Sequence, residues 1–256
     1  MKKMFAMLLA LVMSLSLLTA CGGGSATDSD VAYVKDKGTL VVGITDFAPM
    51  DYKNDNGEWI GFDADMAKAF AESLGVKVEF IEITWSQKAV ELETKAIDVV
   101  WNGMTITDEV KGLMGVSNAY CKNAQVVVTT ADAGSDLSAL SFAAEDGSAG
   151  AAALDAEGIA YTAVQDQSTA LMEVASGSVD ACVIDLLMAG AMIGEGTSYP
   201  DLVIAEELAG EEYGVGFRKG SDLIESFNAF YKAAYEDGSV MKCAEVYGIA
   251  KNIIAQ

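Results

Sequence analysis

Histidine is absent from this 256-residue chain, and arginine occurs once, at Arg218. A chain without histidine has no histidine-based catalytic triad and lacks the commonest metal ligand, so we expect neither a metal site nor a cofactor. Positive charge is scarce too: 16 lysines and arginines face 38 aspartates and glutamates, a net charge of −22 at pH 7. Nucleic acids and anionic lipid surfaces would repel such a protein and are excluded as partners.

Cysteine and proline are also rare. Beyond the N-terminal region there are only Cys121, Cys182 and Cys243, at a wide spacing that fits neither a zinc site nor a small disulfide framework. Cys182 lies in the apolar run ACVI and is predicted to be a core residue. The sequence leaves open a single bridge between two of the three. The two prolines, Pro49 and Pro200, fall in predicted loops.

Only the N-terminus has a long apolar run, which covers Met4–Leu18 and follows two lysines. It predicts a signal peptide at residues 1–20, too short to remain as a comfortable transmembrane helix. The tetrapeptide LTAC, which ends at Cys21, resembles a bacterial lipobox, in which the cysteine becomes the lipidated N-terminus. An ordinary signal-peptidase site is the alternative. Residues 21–30 then form a polar, flexible tether, so we expect an extracytoplasmic protein held at the cell membrane by a lipid.

The chain that follows alternates apolar runs with helical patterns, which is typical of an α/β fold. A predicted helix at 62–75 has Asp63 as a candidate cap and Gly75 as its stop. It connects two of the first predicted strands, an arrangement that favours a parallel sheet. These strands are predicted at 39–44, 76–81 and 96–101.

A second set of strands and helices follows, and two sets of similar size predict two lobes. The helix at 169–177 precedes the last strand of this set. A strand-like segment at 211–220 then leads into a helix over 221–238, with Ser221 as a candidate cap. The strands of the second set are predicted at 125–130, 141–145 and 179–186.

Ligands of open α/β sheets bind beyond the carboxyl ends of the strands. In this chain the rule selects the loops TDFAPM, TWSQ, NGMTIT and EDGSAG, together with Asp185 at the end of the strand VDACVI. These segments belong to both sets of strands. The sequence therefore predicts a binding cleft between two lobes.

The segments TLVVGITDFAPMDY, GEWIGFDADMAKAFAESLGVKVEFI, AIDVVWNGMTIT, EDGSAG, ALMEVASGSVDACVID and EEYGVGFRKGSDLIESFNAFYKAAYEDGS resemble, in order and spacing, the polar amino-acid solute-binding proteins of ABC importers. The resemblance implies a two-lobe type II periplasmic-binding-protein fold. Lobe 1 would comprise residues 31–122 and 216–256, and lobe 2 residues 123–215. The hinge would lie near 122–125 and 211–216. The resemblance further implies a monomeric, non-enzymatic receptor that closes around its solute and delivers it to permease subunits.

The same resemblance implies the ligand-contacting residues. Two aromatic residues would enclose the ligand, although either can instead belong to the core. The loop NGMTIT would bind an anionic group, with Thr107 also able to cap the next helix. The segment GSAG would begin a helix that donates amides, and Asp185 would accept from an ammonium group. The residues implied are Phe47, Trp85, Asn102, Gly103, Met104, Thr105, Ser148, Ala149 and Asp185.

One position departs from the family. Val110 stands where the family has an arginine that binds the ligand's α-carboxylate. The neighbouring Lys111 could supply a point charge, although a solvent-facing lysine is the simpler interpretation. On the acidic side, Asp46, Glu145 and Asp185 are expected to face the cleft. Such a cleft favours a positively charged solute: a basic or polar amino acid held by backbone amides, or an amine with no carboxylate.

Two other functions remain open at this stage. Some dehydratases that act on cyclic dicarboxylates share the fold, but they require cationic partners for their substrates. A sensory domain that signals by closure is the second alternative. A fused transmembrane and kinase region would favour it, and we expect none here.

Overall fold

The structure, a computed structural model, describes residues 29–133 and 139–256. The predicted signal peptide at 1–20, Cys21 and the tether as far as residue 28 lie outside the described residues. At 29–30 the tether prediction is wrong, because Ser29 caps a helix that begins at Asp30 by accepting from the amide of Ala32. Among the described helices, none has the length and apolarity needed to cross a membrane.

Helices surround a central sheet on both faces. In the described part of the chain they are α1 (Asp30–Lys37), α2 (Phe62–Leu74), α3 (Lys88–Glu93), α4 (Asp108–Leu113), α5 (Ala149–Glu157), α6 (Gln167–Ser176), α7 (Leu186–Met192), α8 (Leu223–Glu236) and α9 (Ser239–Val246). Short 3₁₀ turns lie at Trp85–Gln87 and Ala250–Asn252.

The strands confirm the predicted α/β class. They are β1 (Thr39–Ile44), β2 (Tyr52–Lys53), β3 (Trp59–Ile60), β4 (Lys77–Glu82), β5 (Val99–Thr105), β6 (Gly115–Val116), β7 (Cys121–Thr130), β8 (Phe142–Glu145), β9 (Tyr161–Val164), β10 (Ala181–Asp185) and β11 (Leu202–Phe217). Strands β2 and β3 form a separate antiparallel pair, in which Trp59 pairs with Lys53.

Nine strands form one continuous sheet in the order β4-β1-β5-β11-β7-β10-β8-β9, with β6 on β11. The lobe 1 half is parallel across β4, β1 and β5. The lobe 2 half is parallel across β10, β8 and β9. Two long antiparallel strands, β7 and β11, join the halves. The fold is therefore two α/β lobes linked by two crossover strands.

Register along β11 shows how one strand serves both lobes. Its first part pairs with β7 from Leu202 onward, and its last part pairs with β5 at Tyr213–Phe217. Register shifts interrupt these ladders, including one between Glu207 and Gly210. Bulges increase local twist and bend a strand. They explain how a single sheet divides into two lobes with a cleft between them.

Several predicted element boundaries are wrong; among them, β5 begins at Val99 and not at residue 96, and β11 begins at Leu202 and not at residue 211. β5 continues through Asn102 and Gly103 to Thr105, so NGMT is strand rather than loop. Asp63 does not cap α2; it is fully buried, and its carboxylate accepts from the amide of Gly103 across the core. Helix α8 begins at Leu223, two residues after the predicted cap, although the Ser221 hydroxyl does accept from the Leu223 amide.

The only arginine stabilises the base of lobe 1. Two nitrogens of Arg218, Nε and Nη2, donate to the buried carboxylate of Asp30 in α1, at 3.0 and 2.9 Å. Nη2 also forms an ion pair with Asp98 at 3.5 Å. A planar fork bound in this way is fully committed. Arg218 therefore does not replace the arginine missing at Val110.

The three described cysteines are free thiols, so the bridge that the sequence left open is absent. Cys182 is fully buried in β10, which confirms its predicted place in the core. Burial raises the pKa of its thiol to about 12. The Cys182 thiol therefore remains protonated at neutral pH.

Candidate functional site

A cavity of about 270 Å³ lies between the two lobes, at the carboxyl ends of β1, β5, β8 and β10. Two side-chain hydrogen bonds connect the lobes. Lys88 Nζ donates to the carbonyl of Gly147 at 3.1 Å, and the Ser168 hydroxyl donates to Asp46 at 3.2 Å. The position is the one predicted from the strand ends, because parallel strands deliver their following loops to one edge.

Ten of the twelve residues predicted to contact the ligand line this cavity. They are Phe47, Trp85, Asn102, Gly103, Met104, Thr105, Glu145, Ser148, Ala149 and Asp185. Residues so distant in the chain meet because the two lobes face each other.

The other two do not line it. Asp46 is exposed at the rim, where it accepts from Ser168 of the opposite lobe, since the chain turns Phe47 rather than Asp46 inward. Lys111 is exposed on the outer side of α4, as the simpler interpretation held. Its neighbour Val110 is 9% exposed and does line the cavity, so the family's arginine position faces the ligand space.

The first half of NGMTIT serves the framework more than the ligand. Asn102 Oδ1 accepts from the amide and hydroxyl of Thr45, and Nδ2 donates to the Thr45 carbonyl and to Asp51. The amide of Gly103 donates to Asp63 at 2.8 Å. Neither group is available as predicted, because the strand runs four residues further than expected.

Gly103 is needed for a different reason. Its φ is +55°, and an added Cβ would lie 2.4 Å from Cε1 of Phe47. The glycine therefore lets the Phe47 ring pack flat over β5, where it also meets Tyr213 edge-on at 6.3 Å.

Phe47 and Trp85 are both buried and both line the cavity. Each ring therefore serves both as a core residue and as part of the cavity wall, because it packs against its lobe and presents its remaining face to the ligand space. Trp85 opens the 3₁₀ turn that leads into α3.

Helix α5 starts where GSAG predicted. Ser148 is its N-cap and accepts from the amide of Ala151, and Thr107 caps α4 in the same manner by accepting from Val110. The first amides of a helix have no acceptor within the helix. The start of α5 therefore points unpaired N–H groups and a partial positive charge at the cavity.

Asp185 ends β10 and is buried at the back of the cavity. Asn123 and Gln125 of β7, Tyr213 of β11 and Gln167 of α6 all donate to its carboxylate. Burial, followed by the charge of Glu211, raises its pKa well above the usual range. The carboxyl group is held rigidly by neutral donors, with three of them on Oδ1 and one on Oδ2.

Glu145 ends β8 and is 2% exposed. Its Oε1 is buried and has no hydrogen-bond partner among the described residues. Burial, and then the charge of Asp185, raises its pKa well above the usual range. A buried carboxyl oxygen without a donor is costly unless a ligand supplies one.

Sequence reasoning missed Lys88 and Gln167. Lys88 is the first residue of α3, is 8% exposed, and lies over the Trp85 ring at 4.6 Å. Its spacing of four from the buried Leu92 places both on the inner face of α3, a signal that the sequence did contain. Gln167 is the first residue of α6, after the capping Asp166.

The cavity carries one basic and several acidic groups. Lys88 is the only lysine or arginine among the described residues that line it. No described cluster of histidine, cysteine or carboxylate residues is arranged to hold a metal ion. The acidic side chains that line it are Glu109, Glu145, Asp146, Asp155 and Asp185. Except at Lys88, the cavity therefore favours positive charge.

Residues 40–249 match the family described as "Bacterial extracellular solute-binding proteins, family 3". The L-cystine-binding protein TcyJ of Escherichia coli (strain K12) is 27% identical over 245 residues, covering 91% of this chain and 92% of its own length. Both chains are thus aligned almost completely.

Two solved structures share the fold. A substrate-binding protein of an ABC uptake transporter from Streptococcus pneumoniae, with bound histidine, matches with a TM-score of 0.79 at 28% identity, covering 86% of this chain and 96% of that one. The ancestral amino acid-binding protein AncCDT-1, a precursor of cyclohexadienyl dehydratase, matches with a TM-score of 0.77 at 30% identity, covering 86% and 99%. The chain belongs to the family 3 bacterial extracellular solute-binding proteins, the amino-acid receptors of ABC importers.

Proposed function

We propose that this receptor captures a small, positively charged amino acid or amine in the cavity and releases it to the permease of an ABC importer. The observation that carries the proposal is the buried, unpartnered Oε1 of Glu145. Glu145 lies in a cavity that it shares with four other carboxyl side chains and a single lysine. A ligand ammonium or guanidinium group would supply the missing donor and neutralise the carboxylate.

The remaining contacts fit the same role. Phe47 and Trp85 would enclose the apolar part of the solute from either side. Asp185 has a second acceptor at Oδ2, which takes only the bond from Gln167. Glu145 and Asp185 would thus provide two acceptors for the cationic group, and the two aromatic rings would contact the apolar part of the solute.

Titration calorimetry against L-arginine, L-lysine, L-histidine, L-glutamine, L-glutamate, L-aspartate and matched amines tests the proposal. Cationic members should bind at least about 100-fold more tightly than the acidic ones. Tight binding of glutamate or aspartate, with no response to lysine, arginine or amines, contradicts it.

Glu145→Gln provides the matched variant, since it retains the shape but removes the charge. We expect about 10- to 100-fold weaker binding of the cationic ligands, which is the usual effect of removing a charge-assisted hydrogen bond. Glu157→Gln, at an exposed position at the end of α5, should leave affinity unchanged.

Catalysis is not part of the proposal. AncCDT-1 is named as a precursor of a dehydratase, and this fold admits such chemistry. A cyclic dicarboxylate would place two negative charges against five carboxyl side chains and one lysine. We therefore retain binding and release as the function.

The lobe boundaries and the membrane anchor belong to the proposal as well. We propose a hinge at 122–125 and 211–216, where the paired strands β7 and β11 cross between the lobes. We also propose that lipidated Cys21 holds a monomeric receptor at the cell membrane, outside the cytoplasm. Fractionation of cells that express Cys21→Ser tests the anchor, because the protein should leave the membrane fraction.

A further inference from the structure

We infer that Lys88 binds a carboxylate of the solute, in place of the arginine that is missing at Val110. The inference rests on the proposed receptor function and narrows it: the solute must carry a carboxylate as well as its positive charge. A simple amine would then be a poor ligand.

Lys88 is a buried cation that has no anionic partner. It makes no ion pair in residues 29–133 and 139–256, although the exposed lysines Lys53 and Lys232 do. Buried charges in proteins are normally paired, because an unpaired ammonium loses its hydration without compensation. Burial accordingly lowers its pKa.

The hydrogen bonds of Lys88 leave one donor available. An ammonium group has three N–H donors. Two are directed at neutral carbonyls, those of Trp85 at 3.3 Å and Gly147 at 3.1 Å. The ring of Trp85 supports the charge from below without neutralising it. A ligand carboxylate would supply both the missing charge and the third acceptor.

The surroundings of Lys88 also favour a ligand carboxylate. Gly147 immediately precedes Ser148, the cap of α5, so the ammonium lies next to the start of that helix. The amides there favour an anion for the same electrostatic reason. Val110 also lines the cavity but offers only a hydrocarbon surface. The cation would thus come from α3, whereas the family places it on the helix that begins near Thr107.

Glu145 and Lys88 together indicate which two charged groups the solute carries. Among the carboxyl groups whose charges favour the Lys88 ammonium, Glu145 has the largest effect and Glu109 and Asp146 follow, yet none of them forms an ion pair with it. A solute between Glu145 and Lys88 would present its carboxylate to Lys88 and its cationic group to Glu145. The two lobes supply one of these residues each, so the same ligand also favours closure.

Matched pairs of an amino acid and its decarboxylated amine test the assignment directly: L-arginine with agmatine, L-histidine with histamine, and L-lysine with cadaverine. In the wild-type protein, calorimetry should show that the tightest-binding pair prefers the carboxylate by at least about tenfold. Lys88→Met should reduce this preference at least about tenfold, while the affinity for the amine changes less than about threefold.

Two further variants separate this role from a purely structural one. If Lys88 serves only to hold Gly147 and the lobes together, Lys88→Met weakens amino acid and amine equally, and the assignment is wrong. Lys88→Met combined with Val110→Arg should restore the preference for the carboxylate. Lys111→Met, the same substitution on the exposed face of α4, is the control and should change nothing.

The outcomes also distinguish this assignment from the proposed function. Equal binding of amine and amino acid by the wild-type protein overturns the role of Lys88 and leaves a receptor for amines. If no member of any pair binds, the receptor for cationic solutes is overturned, together with the assignment that rests on it.

Discussion

The buried acid Asp63 shows how one residue can serve an entire lobe. It lies on α2, and its Oδ2 accepts from the Gly103 amide and the Tyr120 hydroxyl, at 2.8 and 2.7 Å. Near it, Asp51 accepts from Asn102 at 2.8 Å. The carboxylates thereby fix the strand that forms the cavity floor. This is why the amides of Asn102 and Gly103 are already used before a ligand arrives.

Asp63 makes the stability of the protein depend on pH. Burial raises its pKa from 3.8 to about 7. Between these values the folded protein binds more protons than the unfolded chain, so the free energy of unfolding falls as pH rises from about 4 to about 7. Urea denaturation should show a loss on the order of 3 kcal/mol from Asp63 across that window, because one unit of pKa shift corresponds to about 1.4 kcal/mol. Asp51 shifts in the same direction and adds to this loss.

Asp63→Asn should reduce this dependence and leave the part due to Asp51, because asparagine keeps the acceptor oxygen for Gly103 and Tyr120 and has no charge to bury. Asp55→Asn, in the exposed hairpin turn, should retain the slope of the wild-type protein. A stability that rises with pH over this range in the wild-type protein would contradict the account.

At the scale of elements, strand β5 connects the fold to the site. Its residues alternate between the two faces of the sheet. Trp101 packs in the lobe 1 core, where its ring centroid lies 4.9 Å from that of Phe227, and the last residues of the strand line the cavity. The sequence predicted the apolar first part of β5 as a strand, but it did not predict that the strand continues to Thr105. Asn102 and Gly103 are typical of turns, and they lie at the irregularity in the ladder between β5 and β11, where Gly103 has a φ of +55°.

Gly103→Ala should therefore disturb both the strand and the aromatic wall. The residue has φ of +55°, and the new methyl group would clash with the Phe47 ring. We expect a loss of about 1–3 kcal/mol in the free energy of unfolding, measured with urea. In contrast, Gly112→Ala in α4, where nothing lies within 4 Å of the added carbon, should be neutral or stabilise by up to about 1 kcal/mol. Equal effects at the two sites would exclude the proposed clash.

At the scale of the whole molecule, β7 and β11 are the only described strands that serve both lobes. Lobe motion must therefore bend this pair, and ligand contacts from both sides would favour the closed form. The exposed contact between Asp46 and Ser168 lies at the rim of that closure.

Small-angle X-ray scattering should show a smaller radius of gyration when the tightest-binding amino acid of the calorimetric panel is saturating. An unchanged radius in the presence of confirmed binding would argue against hinge closure. Asp46→Ala removes only an exposed hydrogen bond, so it should alter ligand affinity by less than about threefold.

The sequence by itself determined the α/β class, the two sets of strands and the strand ends that form the cavity. Those properties follow from hydrophobic periodicity, glycine stops and caps such as Thr107 and Ser148, all of which act between neighbours in the chain. It also identified Val110 as a departure, and the structure places that residue on the cavity wall.

Only the tertiary structure decided which charges face the ligand. It turned Asp46 and Lys111 outward, committed Arg218 to Asp30, and buried Lys88 beside Gly147. Side-chain direction at a cleft depends on how two lobes distant in sequence approach each other, and no local pattern encodes that approach. The charge of the cavity, and with it the solute, is a property of the folded pair of lobes.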